Sequence, residues 1–310
     1  MQRIKLPGLI AATHTPFTSD GALNLPVVEK QAAHLVQNGI QTAFICGSTG
    51  ESHSLTTAER ILMAERWANV TKGSSLRFIV HVGSNNVMDA RELAAHAEKC
   101  GALAVSALAP SYFKPRTLPD LVQWCAAIAA TAPSTPFYFY DIPALTGVQF
   151  SMPAFLDAAA RQVPTLNGIK FTNYNLASFQ TCLHQQGGAF DIPWGVDEFL
   201  LGALALGATG AVGSSYNFAA PIYHHLLQNF SAGKLDAARD AQFRSVRLIT
   251  LLAGYGYLSA AKAVMKMLGV DVGPARLPNS NLSTEQTARL RQDLEQLGFF
   301  EWIKPVTSAS

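Results

Sequence analysis

At 310 residues, with 49% apolar and 14% charged residues and a formal net charge of +2, the chain can bury a large core. It has no basic run that would draw nucleic acid or an anionic membrane surface. The four cysteines, Cys46, Cys100, Cys125 and Cys182, form no Cys-x-x-Cys pair, which argues against a zinc site or a secretory disulfide framework.

The opening "MQRIKLPGLIAATHTPF" has too short an apolar run for a signal peptide, and no stretch of about 18 uncharged apolar residues reads as a membrane span. A soluble cytoplasmic protein is expected. Along the chain, short apolar runs alternate with helical patterns. "GLIAATHTPF" precedes a helix over 25–38, "TAFICG" one over 57–72, "RFIVHVG" one over 88–99, and "ALAVSALAP" one over 118–130. "PFYFYDIP" precedes a helix over 152–161, "NGIKFT" one over 176–185, "FDIPWG" one over 198–206, and "GATGAVGSS" one over 221–230. Several of these helices begin after Ser, Thr, Asp or Asn and end near Gly, as caps require.

Eight strands, each followed by a helix within about 250 residues, is the count of an α/β (β/α)8 TIM barrel, with a doubly wound open sheet as the alternative. After residue 230 the patterns over 235–252, 258–268 and 284–297 are all helical, with no strand between them. The expectation is one structural unit, with a barrel over 1–230 and a C-terminal helical extension over 231–310 packed on it.

In a barrel the chemistry gathers at the C-terminal ends of strands. Ser48 and Thr49 end the second run, Tyr140 and Asp141 the fifth, and Ser214 and Ser215 the eighth. The sixth carries Lys170 and Thr172, and the seventh runs into Gly195, Asp197 and Glu198. In "NGIKFT" the two-residue period puts Gly168, Lys170 and Thr172 on one face and Ile169 and Phe171 on the other. The apolar pair should meet the helices, so Lys170 should point inward. The same parity separates Tyr138 and Tyr140 from Phe137 and Phe139.

Desolvation inside a barrel disfavours an ammonium and leaves a nucleophilic amine able to form a Schiff base with a ketone. A neighbouring phenol can then move the proton that carbon–carbon cleavage releases. Either residue alone better suits an ordinary structural role, the lysine snorkelling to the strand end and the tyrosine hydrogen-bonded in place; together on adjacent strands, beside a carboxylate-sized hydroxyl pocket, they point to function.

The turn in "FICGSTGESHSL" lacks the Lys-Ser/Thr of a Walker loop and the third glycine of a dinucleotide fingerprint. Its hydroxyls and amides suit a small carboxylate, and the same residues also suit a helix-capping turn. Cys46 reads as a small buried residue. His14, His53 and His81 lie near strand ends without a metal-binding pattern.

In order along the chain, "GSTGE", "YDIPALTGV", "GIKFT", "WGVDE" and "GATGAVGSSYN" resemble the N-acetylneuraminate lyase (sialic acid aldolase) family of the dihydrodipicolinate synthase superfamily. The resemblance runs from "GLIAATHTPF" through "GPARLP". It implies a pyruvate-dependent class I aldolase with no metal or organic cofactor, usually a homotetramer, that cleaves N-acetylneuraminate reversibly to N-acetylmannosamine and pyruvate. By motif position it implies Lys170 as the Schiff-base lysine, Tyr140 as the acid/base, and Ser48 and Thr49 as holders of the pyruvyl carboxylate. Thr172, Gly195, Asp197, Glu198 and Ser214 match positions that contact the sugar chain.

Leu145 stands where dihydrodipicolinate synthases carry a carboxylate-gripping arginine, and leucine cannot make that bidentate pair. Ser215 replaces a threonine, and Asp141 an Asn or His. Tyr112 and Phe113 keep an aromatic where relatives pass a residue across a subunit interface. Tyr255 and Tyr257 suit either the pocket or the packing of the extension. Two other functions remain consistent with the sequence: an aldolase or dehydratase for another 2-keto-3-deoxy sugar acid, and a catalytically idle sugar-acid-binding protein on the same fold.

Overall fold

A computed structural model describes residues 3–304. Seven parallel strands form one sheet: β1 (Gly8–Ala12), β2 (Thr42–Ile45), β3 (Arg77–His81), β4 (Ala104–Leu108), β5 (Phe137–Asp141), β6 (Leu166–Phe171) and β7 (Gly210–Gly213). Their order is β6-β5-β4-β3-β2-β1-β7, so β1 pairs with both β2 and β7, as a barrel requires and a doubly wound sheet does not. The remaining gap lies between β6 and β7.

Residues 190–195 were expected to fill that gap as a strand. They fill it without becoming a regular one. Asp191 and Trp194 make isolated bridges to Gly168, Phe171 and Ala211. The cause is Pro193, which has no N–H to give to a ladder. Its carbonyl still accepts from Phe171 at 2.9 Å, while Trp194 donates to Gly210 at 2.9 Å and accepts from Val212 at 2.7 Å. This irregular segment is therefore the eighth stave of the (β/α)8 barrel and joins β6 to β7. The expected bounds at residues 1–2 and 305–310 lie outside the described residues.

Strand parity sorts the core into two layers. Phe137, Phe139, Ile169 and Phe171 join the layer between barrel and helices. Tyr138 and Tyr140 join Ile10, Phe44, Ile79, Leu108 and Val212 in the barrel interior. Both faces are therefore buried, the outer one under helices and the inner one in the closed barrel.

The ring helices are α1 (Val27–Gln37), α2 (Thr57–Thr71), α3 (Val87–Lys99), α4 (Leu118–Ala129), a single turn α5 (Pro143–Thr146), α6 (Met152–Ala159), α7 (Leu176–His184), α8 (Leu200–Ala205) and α9 (Tyr216–Ser231). Thr56 and Thr117 close reciprocal capping boxes with Glu59 and Asp120, and Asn86, Ser151 and Asn175 cap α3, α6 and α7.

The helix expected over 221–230 begins earlier, at Tyr216. Pro221 sits inside it, and Ala219 departs from helical geometry at φ −128°, as a proline within a helix forces on the preceding turn. Beyond it, α10 (Leu235–Gly254), α11 (Tyr257–Met267), α12 (Thr284–Leu297) and α13 (Phe299–Trp302) follow without a strand, and α10 packs along α9. Among the described residues no single helix is long and apolar enough to cross a membrane; α10 and α11, bent by 111°, meet that test only as a pair.

Candidate active site

The strand ends converge on a cavity of about 580 Å³. It is lined by all nine residues singled out from the sequence: Ser48, Thr49, Tyr140, Lys170, Thr172, Gly195, Asp197, Glu198 and Ser214. Grooves of about 670 and 1060 Å³ lie elsewhere on the surface, but neither contains any of these residues. Convergent polar groups, not volume, mark a site.

Lys170 and Tyr140 are register partners on β6 and β5, so their side chains rise side by side from the barrel floor. The Lys170 Nζ lies 3.4 Å from the centroid of the Tyr140 ring and 5.0 Å from that of Phe44, and donates to the Thr172 hydroxyl at 3.3 Å. Burial lowers the Lys170 pKa from the ordinary lysine value, against opposing pulls from Tyr140 and Asp197. The result is an amine held by aromatic faces and a neutral hydroxyl. The Tyr140 hydroxyl in turn sits 3.4 Å from the Ser48 hydroxyl, which joins the lysine half of the site to the hydroxyl turn.

That turn hangs between two non-glycine residues in the left-handed region, Cys46 at φ 57° and Glu51 at φ 60°. The Glu51 carboxylate points away from the cavity into a buried ion pair with Lys262 at 2.6 Å and also accepts from the Arg276 amide at 2.7 Å. It is therefore an anchor for the turn. Nothing in its sequence position, beside the hydroxyls, distinguishes an anchor from a group that would repel an anion.

At the opposite wall, Asp197 is buried and accepts from the Ser215 amide at 2.9 Å and from the Ser215 hydroxyl. Burial raises its pKa to about 6, against these hydrogen bonds. Two glycines make room here. A Cβ on Gly195 would lie 2.0 Å from the Thr172 hydroxyl oxygen, and one on Gly213 would lie 2.1 Å from Asp197 Oδ1. Ser214 exchanges a hydrogen bond of 2.7 Å with the Tyr257 hydroxyl.

Tyr257 and Tyr255, equivalent by sequence, are separated by the structure. Tyr257 lines the cavity, while Tyr255 bonds Asp293 at 2.6 Å within the extension. Leu145, on α5, is 63% exposed at the cavity mouth. Ile249, Ala253 and Asn279 also line the cavity from the extension; Asn279 carried no recognisable signal in the sequence. Asp141 turns outward from the barrel, accepts from the Asn173 amide at 3.0 Å, and is pushed by burial to about 6.

Among the described residues no three His, Cys, Asp or Glu side chains gather as a metal ion would need. His14 is wholly buried with both ring nitrogens unpartnered, and burial lowers its pKa to about 3.

A phenol, a buried amine, a hydroxyl turn and a polar far wall meet in one barrel mouth. The model of the dihydrodipicolinate synthetase family matches residues 5–297. The chain belongs to the dihydrodipicolinate synthetase family. Within it, the chain is 39% identical over 299 residues to the N-acetylneuraminate lyase of Mus musculus, spanning 95% of this chain and 93% of that protein.

Among solved structures, the N-acetylneuraminate lyase of Proteus mirabilis superposes with a TM-score of 0.93 at 41% identity, over 96% of this chain and 100% of that one. The sialic acid aldolase of Aliivibrio salmonicida gives the same TM-score of 0.93 and identity of 41%, over 96% and 98%. Members of the dihydrodipicolinate synthetase family thus share this barrel with its C-terminal helices over nearly the whole chain. The residues that line its mouth in this member are those described above.

Proposed function

We propose that the protein is a class I aldolase, a carbon–carbon lyase that cleaves N-acetylneuraminate reversibly to N-acetylmannosamine and pyruvate. One observation carries the mechanism: Lys170 is buried in the barrel mouth against Tyr140 and Thr172, with no carboxylate among its hydrogen-bond partners in the described residues. The identity of about 40% to N-acetylneuraminate lyases over nearly the full length supports the substrate.

In this reading the Lys170 amine attacks the C2 ketone of the open-chain sugar acid, and loss of water gives an iminium. Ser48 and Thr49 hold the carboxylate with their hydroxyls and neighbouring amides. Tyr140 takes the proton of the 4-hydroxyl, the C3–C4 electron pair moves into the iminium, and N-acetylmannosamine leaves as the aldehyde. Protonation of the enamine carbon and hydrolysis then return pyruvate and the free amine. Thr172, Gly195, Asp197, Glu198 and Ser214 face the polyhydroxyl tail, where carboxylates and hydroxyls accept and exchange hydrogen bonds. Leu145 offers no cation to a second carboxylate, which sets this site apart from dicarboxylate-forming condensation. No metal or organic cofactor enters any step.

Borohydride added with pyruvate should reduce an imine onto Lys170, located by peptide mapping, and Lys170→Ala should lose trapping and turnover together. Adduct at another lysine, or turnover surviving Lys170→Ala, refutes the mechanism. Preference for a 2-keto-3-deoxy acid lacking the N-acetyl group would reassign the substrate. Tight sugar-acid binding without turnover would make the protein a sensor.

The expected barrel at 1–230 and extension at 231–310 form one unit in this proposal, supported by the extension's residues in the cavity wall. A homotetramer is also proposed. Tyr112 and Phe113, 78% and 85% exposed and stacked edge-to-face at 4.9 Å, present apolar surface that a subunit contact would bury. Light scattering that gives a fully active monomer at about micromolar concentration would overturn it. Four free thiols support a cytoplasmic setting.

A further inference from the structure

Cys46 directly follows β2 with φ 57°, a left-handed conformation that costs a side-chain-bearing residue free energy unless its surroundings hold it there. A buried histidine from the next strand meets it there. His81 Nδ1 lies 3.1 Å from the Cys46 carbonyl oxygen, and the Ser52 hydroxyl lies 3.2 Å from the same nitrogen.

Arg60, on α2 and almost wholly buried, braces His81 from behind. Its guanidinium donates to the His81 carbonyl at 2.6 Å and to the Gly83 carbonyl at 2.9 Å. An arginine only donates and a carbonyl only accepts, so one Nδ1 cannot bond both, and the Cys46 carbonyl is the nearer of the two. The proton is therefore assigned to His81 Nδ1, directed at Cys46, with the Arg60 contact of 3.4 Å to that nitrogen left as a non-bonded one. The opposite nitrogen, Nε2, has no partner among the described residues, in keeping with a bare lone pair.

The other face of the imidazole meets the lysine half of the site. His81 stands edge-to-face on the Tyr140 ring at 5.7 Å and 87°, and Phe44 stands on the same ring at 5.9 Å and 82°. One side chain thus touches both the turn that carries Ser48 and Thr49 and the phenol that reaches Ser48. His81 itself does not line the cavity.

We propose that His81 is a positioning residue: its Nδ1–H holds the Cys46 carbonyl in the left-handed turn that aims the Ser48 and Thr49 hydroxyls, and its ring sets Tyr140 against them. The proposal rests on the aldolase reading of the same site. Its consequence is a specific genetic interaction. Glycine adopts a positive φ without steric penalty, so a turn built on glycine at position 46 no longer needs the imidazole to hold it.

The test measures borohydride trapping of pyruvate against pyruvate concentration in wild type, His81→Asn, His81→Phe, Cys46→Gly and the His81→Phe/Cys46→Gly pair. His81→Phe keeps a ring but loses the donor, and should raise the half-saturating pyruvate concentration about ten-fold through the released turn. His81→Asn keeps an N–H near the position of Nδ1 and should stay within about three-fold of wild type. Adding Cys46→Gly to His81→Phe should recover most of the loss, which a general destabilisation would not do.

Equal half-saturation in wild type and His81→Phe overturns the role, as does a pair no better than His81→Phe alone. If His81→Phe does not fold, the pair must fold and trap pyruvate for the role to stand, and an unfolded pair overturns it. A wild-type protein that traps no pyruvate refutes the aldolase reading itself, and this role with it.

Discussion

Replacing Glu51 with Gln tests whether the hydroxyl turn is anchored from below. Glu51 and Lys262 pair at 2.6 Å, with side-chain exposures of 0% and 2%. Lys262 also donates to the carbonyls of Thr15 at 3.1 Å and Pro274 at 2.7 Å, so it is fully engaged by one charge and two dipoles. Removing the carboxylate charge leaves an ammonium buried among carbonyls and the Phe17 ring, whose centroid is 4.6 Å away. Breaking one side of such a buried pair costs ~3–5 kcal/mol, most of it the stranded charge.

Glutamine keeps the shape and one acceptor for the Arg276 amide, so the lower part of that range, about 3 kcal/mol, is expected for Glu51→Gln. Urea unfolding followed by far-ultraviolet circular dichroism reads this as a fall in midpoint at constant slope. Glu51→Gln/Lys262→Met, which removes both charges, should recover to within about 1–2 kcal/mol of wild type. Glu51→Gln within about 1 kcal/mol of wild type would mean that the pair does not hold the turn, and the anchoring argument would fall with it.

Tyr140→Phe should slow cleavage by about 10²–10⁴-fold, the usual worth of a general acid–base group. Pyruvate trapping on Lys170 should fall far less, and equal losses in stopped-flow cleavage and trapping would remove Tyr140 from the proton path. Leu145→Arg puts an uncompensated cation at the cavity mouth and should lower kcat/KM for N-acetylneuraminate about ten-fold, mainly through KM; unchanged kinetics would show that Leu145 does not meet the substrate.

Asp141 has its folded pKa raised by burial from 3.8 to about 6, so the folded state binds its proton more tightly than the unfolded chain. That contribution is present at low pH and lost as pH rises through about 6. Asp141→Asn should therefore stabilise the protein by ~2–3 kcal/mol near neutral pH and little below about pH 4, as denaturant titrations across that window would show. A difference independent of pH would refute it.

Where local rules govern an element, the sequence was enough to see it. The helix expected over 57–72 is Thr57–Thr71, and that over 118–130 is Leu118–Ala129, because period and capping box coincide at both. Strand parity placed Lys170 and Tyr140 inward for the same reason: alternation is a property of the backbone.

The failures are where one residue cancels a ladder or where partners are remote. Pro193 turned an apolar run into a bridged segment, and Pro221 looked like a helix start though the helix begins at Tyr216. The single turn of α5 has too few residues for a period. Glu51 and Lys262 come from opposite ends of the chain, and nothing local in either marks the other as its partner. The nine expected site residues could be collected on one cavity because each sits at a strand end, while Asn279 reaches the same wall from an irregular segment with no pattern to read.

The two buried lysines show why position alone does not decide chemistry. Lys170 and Lys262 are both nearly inaccessible, and burial pushes both pKa values down. Lys262 has a carboxylate at 2.6 Å and two carbonyls around it, an acceptor set that rewards the ammonium. Lys170 has a hydroxyl and two aromatic faces, which favour a cation weakly and block neither the lone pair nor the approach of a carbonyl carbon. An amine that must lose a proton to attack and regain charge as an iminium needs such weak, neutral company. A carboxylate at 2.6 Å would favour the ammonium and oppose that proton loss. The acid belongs instead under the turn, where its pairing with Lys262 stiffens the hydroxyl cradle from outside the cavity.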